Sequence, residues 1–172
     1  MPAPSENPDP LADPRLVADL LLYRMSVITR STSLPLVRIF EGEFGITRRH
    51  WHMLALLVEH GAMPSSRLAT LCWLDRPRIS RAVSGLVEKG LVTRRSSASH
   101  SRDLEVTEAG RQLHESAMQR VAALNVELAR TLSLAERQLL DGMLTRLQAC
   151  VVDIAERAAR TAPLSGRNKR RG

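Results

Sequence analysis

The stretch Asp75-Arg-Pro-Arg-Ile-Ser-Arg-Ala-Val-Ser-Gly-Leu-Val-Glu-Lys-Gly90 decides the fold of this chain. Asp75 is a residue type that caps helix N-termini, a proline is tolerated in the first turn, and Gly90 is typical of a helix C-terminus. The apolar residues recur at helical spacing and predict one buried stripe. That stripe comprises Ile79, Ala82, Val83 and Leu86. The segment is therefore predicted to be an amphipathic helix with a basic outer face.

A shorter helix is predicted directly before this one. Ser65 or Ser66 is a candidate N-cap for it, and Leu68 and Leu71 are spaced to share its inner side. The short helix is expected to stop around residues 73–75. Two helices separated by a turn of three or four residues make a helix-turn-helix.

The chain after Gly90 predicts a β-hairpin. Residues 91–95 and 104–107 have the apolar and polar pattern of strands, and the polar run 96–101 separates them. Such a hairpin behind a helix-turn-helix forms a wing.

A helical segment precedes this module. Its apolar residues recur at helical spacing from Leu16 onwards. Pro35 cannot continue a helix, so a break is expected near residues 33–34 before the helix resumes to about Glu43. Fold class is thus predicted to be mainly α with a small β-wing.

Three further helix starts are marked by capping residues. Thr47 is a candidate N-cap for a helix that ends near Gly61, and Thr107 is a candidate N-cap for a long helix after the wing. Ser133-Leu-Ala-Glu136 has the pattern of a capping box and predicts the last helix.

The flanking helices carry more apolar surface than a small winged module can cover. They occupy about residues 15–43 and 108–160, with the winged helix-turn-helix module at about 47–107 between them. Surplus apolar helix surface is best buried in a symmetric dimer. We therefore expect both flanking regions to be dimerisation helices.

The two ends of the chain are expected to be tails. Five of the nine prolines lie in the first fourteen residues, so residues 1–13 are interpreted as a flexible segment that buries little apolar surface. Residues 161–172 are interpreted as a basic flexible tail. It could add non-specific phosphate affinity or merely be disordered. Residues 14–160 are expected to form one folded domain.

The formal net charge of +7 is concentrated in two segments. Residues 76–102 contain seven Lys or Arg and one acidic residue, and residues 157–172 contain six and no acidic residue. The rest of the chain is slightly acidic. Basicity confined to two segments, one of which contains the predicted helix and wing, is typical of a nucleic-acid footprint.

The predicted DNA contacts follow from this geometry. In a helix-turn-helix the N-terminal half of the second helix enters the major groove, where Arg can pair with guanine, and hydroxyls near the helix starts can bind phosphates. The wing would meet the backbone or the minor groove. The candidate DNA-binding residues are Ser65, Ser66, Arg76, Pro77, Arg78, Ser80, Arg81, Ser84, Arg94, Arg95 and Arg102.

The apolar stretches are far shorter than the roughly 20 residues that span a bilayer. The first residues also lack the basic and then apolar order of a secretory signal. We therefore expect a cytoplasmic protein without a membrane segment.

Two cysteines, Cys72 and Cys150, lie far apart in sequence and do not suggest a disulfide framework. Both are interpreted as buried thiols. Alternatively, Cys72 could sense oxidants if Arg67 or Arg76 stabilised its thiolate.

Several short motifs resemble those of the MarR family of winged-helix transcriptional regulators. They are Leu22–Val27, Phe44–Thr47 with Trp51 and Leu54, Asp75–Val83, Leu86 with Lys89–Val92, and Val106–Gly110. The resemblance covers about residues 15–158. It implies an obligate homodimer formed by the first and the last two helices, which binds a pseudo-palindromic operator in double-stranded DNA.

The resemblance also implies regulation, usually repression relieved by a small ligand or an oxidant. It points to a ligand cleft between the dimer helices and the winged module, where Arg24, Met25, Trp51 and His52 are the candidate ligand-binding residues. The alternative is that these four side chains only pack the junction.

The wing departs from the family pattern, which usually carries an Asp-Arg-Arg-like element. Here residues 96–103 read Ser-Ser-Ala-Ser-His-Ser-Arg-Asp, and the wing is shorter. His100 or Arg102 could replace the usual arginine at the tip.

Other functional classes find less support. His50 and His52 do not share a helix face and make a poor metal pair, so no metal or cofactor is expected. No Ser-His-Asp spacing, phosphate-binding glycine loop or carboxylate cluster suggests an enzyme. We predict a dimeric sequence-specific regulator that, in the family's manner, represses nearby genes until a small ligand relieves the repression. The alternative is a winged-helix architectural or protein-interaction module that binds DNA weakly and without specificity.

Overall fold

A small three-stranded sheet lies among helices in the computed structural model of the chain, which describes residues 7–96 and 102–161. The chain divides into two units, residues 1–123 and 124–172. The predicted winged helix-turn-helix lies wholly within the first unit. Fold class is therefore as predicted, mainly α with a β-wing.

The first unit begins with a local turn. The side-chain amide of Asn7 donates to the carbonyl oxygen of Asp13, and the amide of Ala12 donates to the Asp9 carboxylate. A 3-10 turn follows at Val17–Asp19. These hydrogen bonds lie within residues 7–13, the described part of the segment interpreted as a tail.

The predicted first helix begins later than expected, at Leu21 instead of Leu16. The buried carboxylate of Asp19 accepts 2.9 Å hydrogen bonds from the amides of Arg15 and Leu16, which holds the chain in the preceding turn. Helix α1 then covers Leu21–Ser31.

The helix breaks at Thr32, within two residues of the predicted position. Helix α2 covers Ser33–Val37 and continues as a π-helical segment at Arg38–Glu43. Pro35 is the third residue of α2, a position whose amide lacks a helical partner in any case. The proline therefore sets the break without a lost hydrogen bond.

Helix α3 covers Arg48–His60, as its capping residues predict. The Thr47 hydroxyl accepts a 3.2 Å hydrogen bond from the amide of His50. At the other end Gly61 has φ 75°, a left-handed conformation that favours glycine.

Helix α4 covers Ser65–Leu71 and differs from the prediction at its start. Its N-cap is Pro64, so neither Ser65 nor Ser66 caps it, and both lie in its first turn. The chain then turns sharply through Trp73, which has φ 54°.

Helix α5 covers Arg76–Glu88 and agrees with the opening prediction. The Asp75 carboxylate accepts a 2.9 Å hydrogen bond from the amide of Arg78, and Pro77 lies in the first turn. All four residues of the predicted apolar stripe are buried. Gly90, with φ 69°, follows the end of the helix.

The wing is an antiparallel hairpin. Strand β2 covers Val92–Ser96 and strand β3 covers Arg102–Val106, with Val92 opposite Val106. A third short strand, β1 at Met63–Pro64, pairs with the outer side of β3 and gives the sheet order β1-β3-β2. The sequence analysis did not predict this strand.

The core of the first unit lies between α3, α4, α5 and the sheet. Its largest fully buried side chains include Met53, Leu54, Leu68, Leu86 and Leu104. Because α5 contributes a continuous apolar stripe to this core, its opposite face is held towards solvent.

Two long helices complete the chain. Helix α6 covers Glu108–Ala129, and helix α7 covers Leu134–Thr161. The predicted capping box is present, since the amide of Ser133 donates to Glu136 at 2.7 Å and the amide of Glu136 donates to the Ser133 hydroxyl at 3.3 Å. No residue of α7 is classed as buried among those whose side chains are described.

Candidate nucleic-acid interface

The outer face of α5 presents a basic surface to solvent. Its predicted contact residues are exposed, apart from the half-buried Ser84. They are Arg76, Pro77, Arg78, Ser80, Arg81 and Ser84. Because the apolar stripe fixes the opposite side of the same helix, these side chains are presented together on a rigid element.

Two of the arginines on α5 have local partners that orient them. The Nε atom of Arg81 donates to the carbonyl oxygen of Pro77 at 3.3 Å. The Nε atom of Arg78 lies 3.5 Å from a carboxylate oxygen of Asp75. Both interactions are exposed, so water or a ligand can exchange for them at little cost.

The hydroxyls of α4 lie at its N-terminal turn. Ser65 and Ser66 are both exposed there. Since neither is used as a cap, each hydroxyl stays available to a ligand. Both serines therefore lie at the start of α4, as the sequence predicts, but neither of them is the N-cap.

The basic residues of the wing are not equivalent. Arg94 and Arg95 are exposed on β2, and Nη1 of Arg95 forms a 2.9 Å ion pair with Glu105 on β3. Arg102 lies opposite Ser96 in the ladder. His100 and the tip of the wing, residues 97–101, lie outside the described residues.

An open cavity of about 320 Å³ lies between the start of α3 and the outer face of α5. We call it the α3–α5 notch. It is lined by Thr47, Arg49, His50, Arg78, Arg81 and Ala82. Arg78 and Arg81 were among the predicted contact residues, but Arg49 was not, although it lies in the first turn of a predicted helix.

His50 forms the inner wall of the notch. Burial lowers the pKa of its imidazole below the usual 6.5, and the neighbouring positive charges of Lys89 and Arg49 lower it further. Its Nδ1 atom is buried without a hydrogen-bond partner in the described part of the chain. The imidazole is therefore held in its neutral form at neutral pH.

Cys72 does not have the environment of a reactive thiol. Burial raises the pKa of its thiol above the usual value, and the positive charge of Arg49 opposes this effect. Arg67 or Arg76 was expected in that role. A thiol with a raised pKa carries little thiolate at neutral pH. Cys150 is exposed instead of buried as expected.

The four candidate ligand-binding residues are not brought together by contacts. Arg24, Met25 and His52 are exposed. Trp51 is half-buried, with its ring 5.1 Å from that of Phe40 and stacked on His114 at 6.0 Å between centroids. No hydrogen bond or ring contact within residues 7–96 and 102–161 joins Trp51 to the other three.

The Trp51 indole nevertheless retains an unused polar group. Its Nε1 atom is buried and has no acceptor among the described residues. Buried donors without partners are uncommon in proteins. Around it, Phe40, Ala117 and Val121 form a small apolar cluster.

The described residues contain neither a metal-binding cluster nor a membrane-spanning helix. Within the described ranges, no three His, Cys, Asp or Glu side chains are grouped so that they could hold a metal ion. None of the described helices combines the length and apolar character needed to cross a membrane.

Comparison with known proteins identifies the module. Residues 44–103, which contain α3, the helix-turn-helix and most of the wing, match the model of the MarR family. This segment is a MarR-family winged-helix domain. No curated protein sequence matches the chain significantly.

Solved structures extend the likeness beyond the MarR-family domain. A MarR-family regulator from Rhodococcus sp. RHA1 aligns with a TM-score of 0.70 at 23% identity, over 79% of this chain and 96% of that one. Staphylococcus aureus MepR in its DNA complex aligns with a TM-score of 0.67 at 21% identity, over 77% and 96%. The overall fold is therefore that of MarR-family transcriptional regulators.

A third similar structure contains a small molecule. The PcaV regulator from Streptomyces coelicolor, solved with its natural ligand, aligns with a TM-score of 0.65 at 18% identity, over 79% of this chain and 96% of that one. At this identity the likeness concerns the fold alone.

Proposed function

We propose that this protein is a sequence-specific DNA-binding transcriptional regulator. The observation that carries the proposal is the arrangement of α5, whose buried stripe fixes one side of the helix while its exposed arginines share the other. Arginine at the N-terminal half of such a helix can pair with guanine in the major groove. The similarity to MepR, which was solved bound to DNA, supports the same role.

Base contacts and backbone contacts divide between the elements. Arg76, Arg78 and Arg81 contact base edges, with Pro77, Ser80 and Ser84 beside them at the groove. Ser65 and Ser66 bind phosphates at the start of α4. Arg94, Arg95 and Arg102 bring the wing to the backbone or the minor groove, where the contacts are less dependent on sequence.

We further propose that the active form is a homodimer. Helix α1 exposes several large apolar residues, among them Leu22, which is 73% exposed, and Ile28, which is 61% exposed. Helix α7 does the same, with Leu139 at 60% and Ile154 at 50%. Large exposed apolar surfaces on a soluble protein mark interaction sites. The regions at about 15–43 and 108–160 serve as dimerisation helices, and a two-fold dimer matches a pseudo-palindromic operator.

We propose that this protein is cytoplasmic and represses nearby genes. A small ligand relieves the repression. The support for the ligand is the unpartnered Nε1 of Trp51, a donor that a ligand could satisfy, and the likeness to PcaV with its ligand. Arg24, Met25 and His52 remain part of this proposed ligand site.

The proposed function is tested by selecting duplexes from a random library and comparing the best one with a scrambled duplex of the same composition. A specific regulator binds the selected duplex about 10³-fold or more tightly, and the selected sequence is an inverted repeat. Equal affinity for both duplexes at several salt concentrations would instead indicate an architectural module with non-specific binding.

Light scattering of the full chain tests the dimer separately. A mass of two chains at micromolar concentration supports it. A mass of one chain contradicts the dimer, whatever the DNA experiment shows.

A further inference from the structure

The α3–α5 notch concentrates positive charge from two different helices. Arg49 comes from the first turn of α3, and Arg78 and Arg81 come from the outer face of α5. None of the residues that line the cavity is acidic. Such a concave, cationic surface favours an anionic ligand.

The charges in the notch are largely uncompensated. Among the described residues, Arg49 has no carboxylate within ion-pair distance, and Arg81 reaches only a backbone oxygen. Of the three, Arg78 alone faces a carboxylate in the described part of the chain, that of the exposed Asp75 at 3.5 Å. Three guanidinium groups therefore share a single nearby negative charge.

The shape of the notch indicates which anionic group it would hold. A guanine edge is flat and is read by one or two side chains of a helix within the groove. A phosphate group projects from the backbone and can be surrounded by donors from separate elements. The cavity of about 320 Å³ is open to solvent and is lined by donors from two helices, which suits the projecting group.

We propose that the α3–α5 notch binds one phosphate group of the DNA backbone, with Arg49 as its main ligand from α3. The inference rests on the proposed function, because two of the notch arginines lie on the helix proposed to enter the major groove. The phosphate contact fixes the depth and the angle at which α5 lies in the major groove. Arg78 and Arg81, which line the notch and lie on the helix proposed to read bases, are thereby shared between base and backbone.

Arg49→Gln is the test variant, and Arg48→Gln is its matched control. Arg48 is the neighbouring residue on α3, is equally exposed and carries the same charge, but does not line the notch. Both exposed substitutions should leave the thermal midpoint unchanged in chloride, which verifies folding.

The readout is the salt dependence of binding to the selected and the scrambled duplex. Each neutralised phosphate contributes about 0.9 to the slope of log K against log salt concentration. Arg49→Gln should reduce the slope by about that amount and weaken binding to both duplexes by the same factor. Arg48→Gln should change the slope by clearly less. Equal slope changes in the two variants would overturn the proposal.

Free phosphate has the same chemistry as the backbone group, so inorganic phosphate provides a second arm. At matched ionic strength, a phosphate-induced rise in the thermal midpoint that Arg49→Gln alone abolishes supports the notch as a phosphate site. If this rise occurs but the DNA slopes of both variants agree, the ligand is a free anion and the backbone assignment is wrong. If the wild type binds both duplexes equally, the proposed sequence-specific function is wrong. The salt slopes of Arg49→Gln and Arg48→Gln still show whether the notch binds a backbone phosphate.

Discussion

The hydroxyl group of Thr107 donates a 2.7 Å hydrogen bond to the carbonyl oxygen of Gly90. The same hydroxyl accepts a 3.1 Å bond from the amide of Gly110, and the Thr107 amide donates to the carbonyl oxygen of Leu91. One residue thus joins the end of α5, the base of the wing and the start of α6. This junction therefore helps to fix the angle between the wing and α5.

Thr107→Val should lower the free energy of unfolding by roughly 1–2 kcal/mol, because it keeps the shape of the side chain but removes the cap and leaves polar groups unpaired. Thr107→Ser, which retains the hydroxyl, should lose much less. Urea unfolding at fixed protein concentration measures both. Equal stability of the two variants would mean that the hydroxyl bonds contribute little.

Gly110→Ala should destabilise the protein at the same junction. A Cβ at position 110 would overlap the carbonyl oxygen of Leu91, and that oxygen already accepts a hydrogen bond from Thr107. Overpacking against backbone costs roughly 1–3 kcal/mol. Gly142→Ala in α7 is the control, since nothing lies within 4 Å of its added Cβ. It should be neutral or stabilise α7 by about 0.5–1 kcal/mol. Thermal unfolding in which Gly110→Ala matches the wild type would contradict the predicted overlap.

Asp75 has two roles that substitution can separate. Asp75→Asn keeps an N-cap but removes the carboxylate 3.5 Å from Arg78, so DNA affinity should rise several-fold at low salt with stability nearly unchanged. Asp75→Ala removes the cap as well and should cost about 0.5–2 kcal/mol of unfolding free energy. Affinity is measured by fluorescence anisotropy with the selected duplex. Unchanged affinity of Asp75→Asn across low salt would show that this carboxylate does not weaken DNA binding.

Local signals were sufficient to predict the helix-turn-helix. Asp75 and Thr47 cap the helices that they were expected to cap, and Pro35 lies just after the observed break. Each of these features depends on a few adjacent residues whose backbone preferences are strong. The apolar stripe of α5 was equally clear because it repeats at helical spacing.

Features that depend on distant residues were not predicted. Strand β1 contains only two residues and exists because Met63 pairs with Leu104, more than forty positions away. Arg49 joins Arg78 and Arg81 in one cavity only after α3 and α5 have packed together. The start of α4 was mispredicted for a local reason instead: Pro64, with its extended backbone, occupies the N-cap position, so Ser65 and Ser66 fall in the first turn. Sequence spacing alone reveals neither the pairing of β1 nor the cavity.

The stability of the domain should depend on the titration of His50. Because the folded state lowers the pKa of this imidazole below 6.5, the unfolded state binds more protons as the pH falls through that value. The contribution of the neutral His50 imidazole to stability is therefore complete above about pH 6.5. It decreases as the pH falls towards the pKa of the folded state, and below that pKa the loss stays constant. His50→Gln should remove this part of the pH dependence. Urea unfolding across this range tests it, with His60→Gln on the same helix as control. If the two variants give identical pH profiles, His50 is not responsible.

The arginines of α5 and of the wing should differ in how they affect specificity. Arg81→Ala should cost roughly 1–3 kcal/mol of binding free energy and relax the preference at one operator position, because a base contact is lost. Arg95→Ala should weaken binding to matched and mismatched duplexes alike, because a backbone contact carries no sequence information. Glu105→Gln provides a converse test, since it releases Arg95 from its 2.9 Å ion pair and should strengthen binding to every duplex. Competition assays with single-position operator variants measure all three. Identical behaviour of Arg81→Ala and Arg95→Ala across these duplexes would contradict the division between base and backbone contacts.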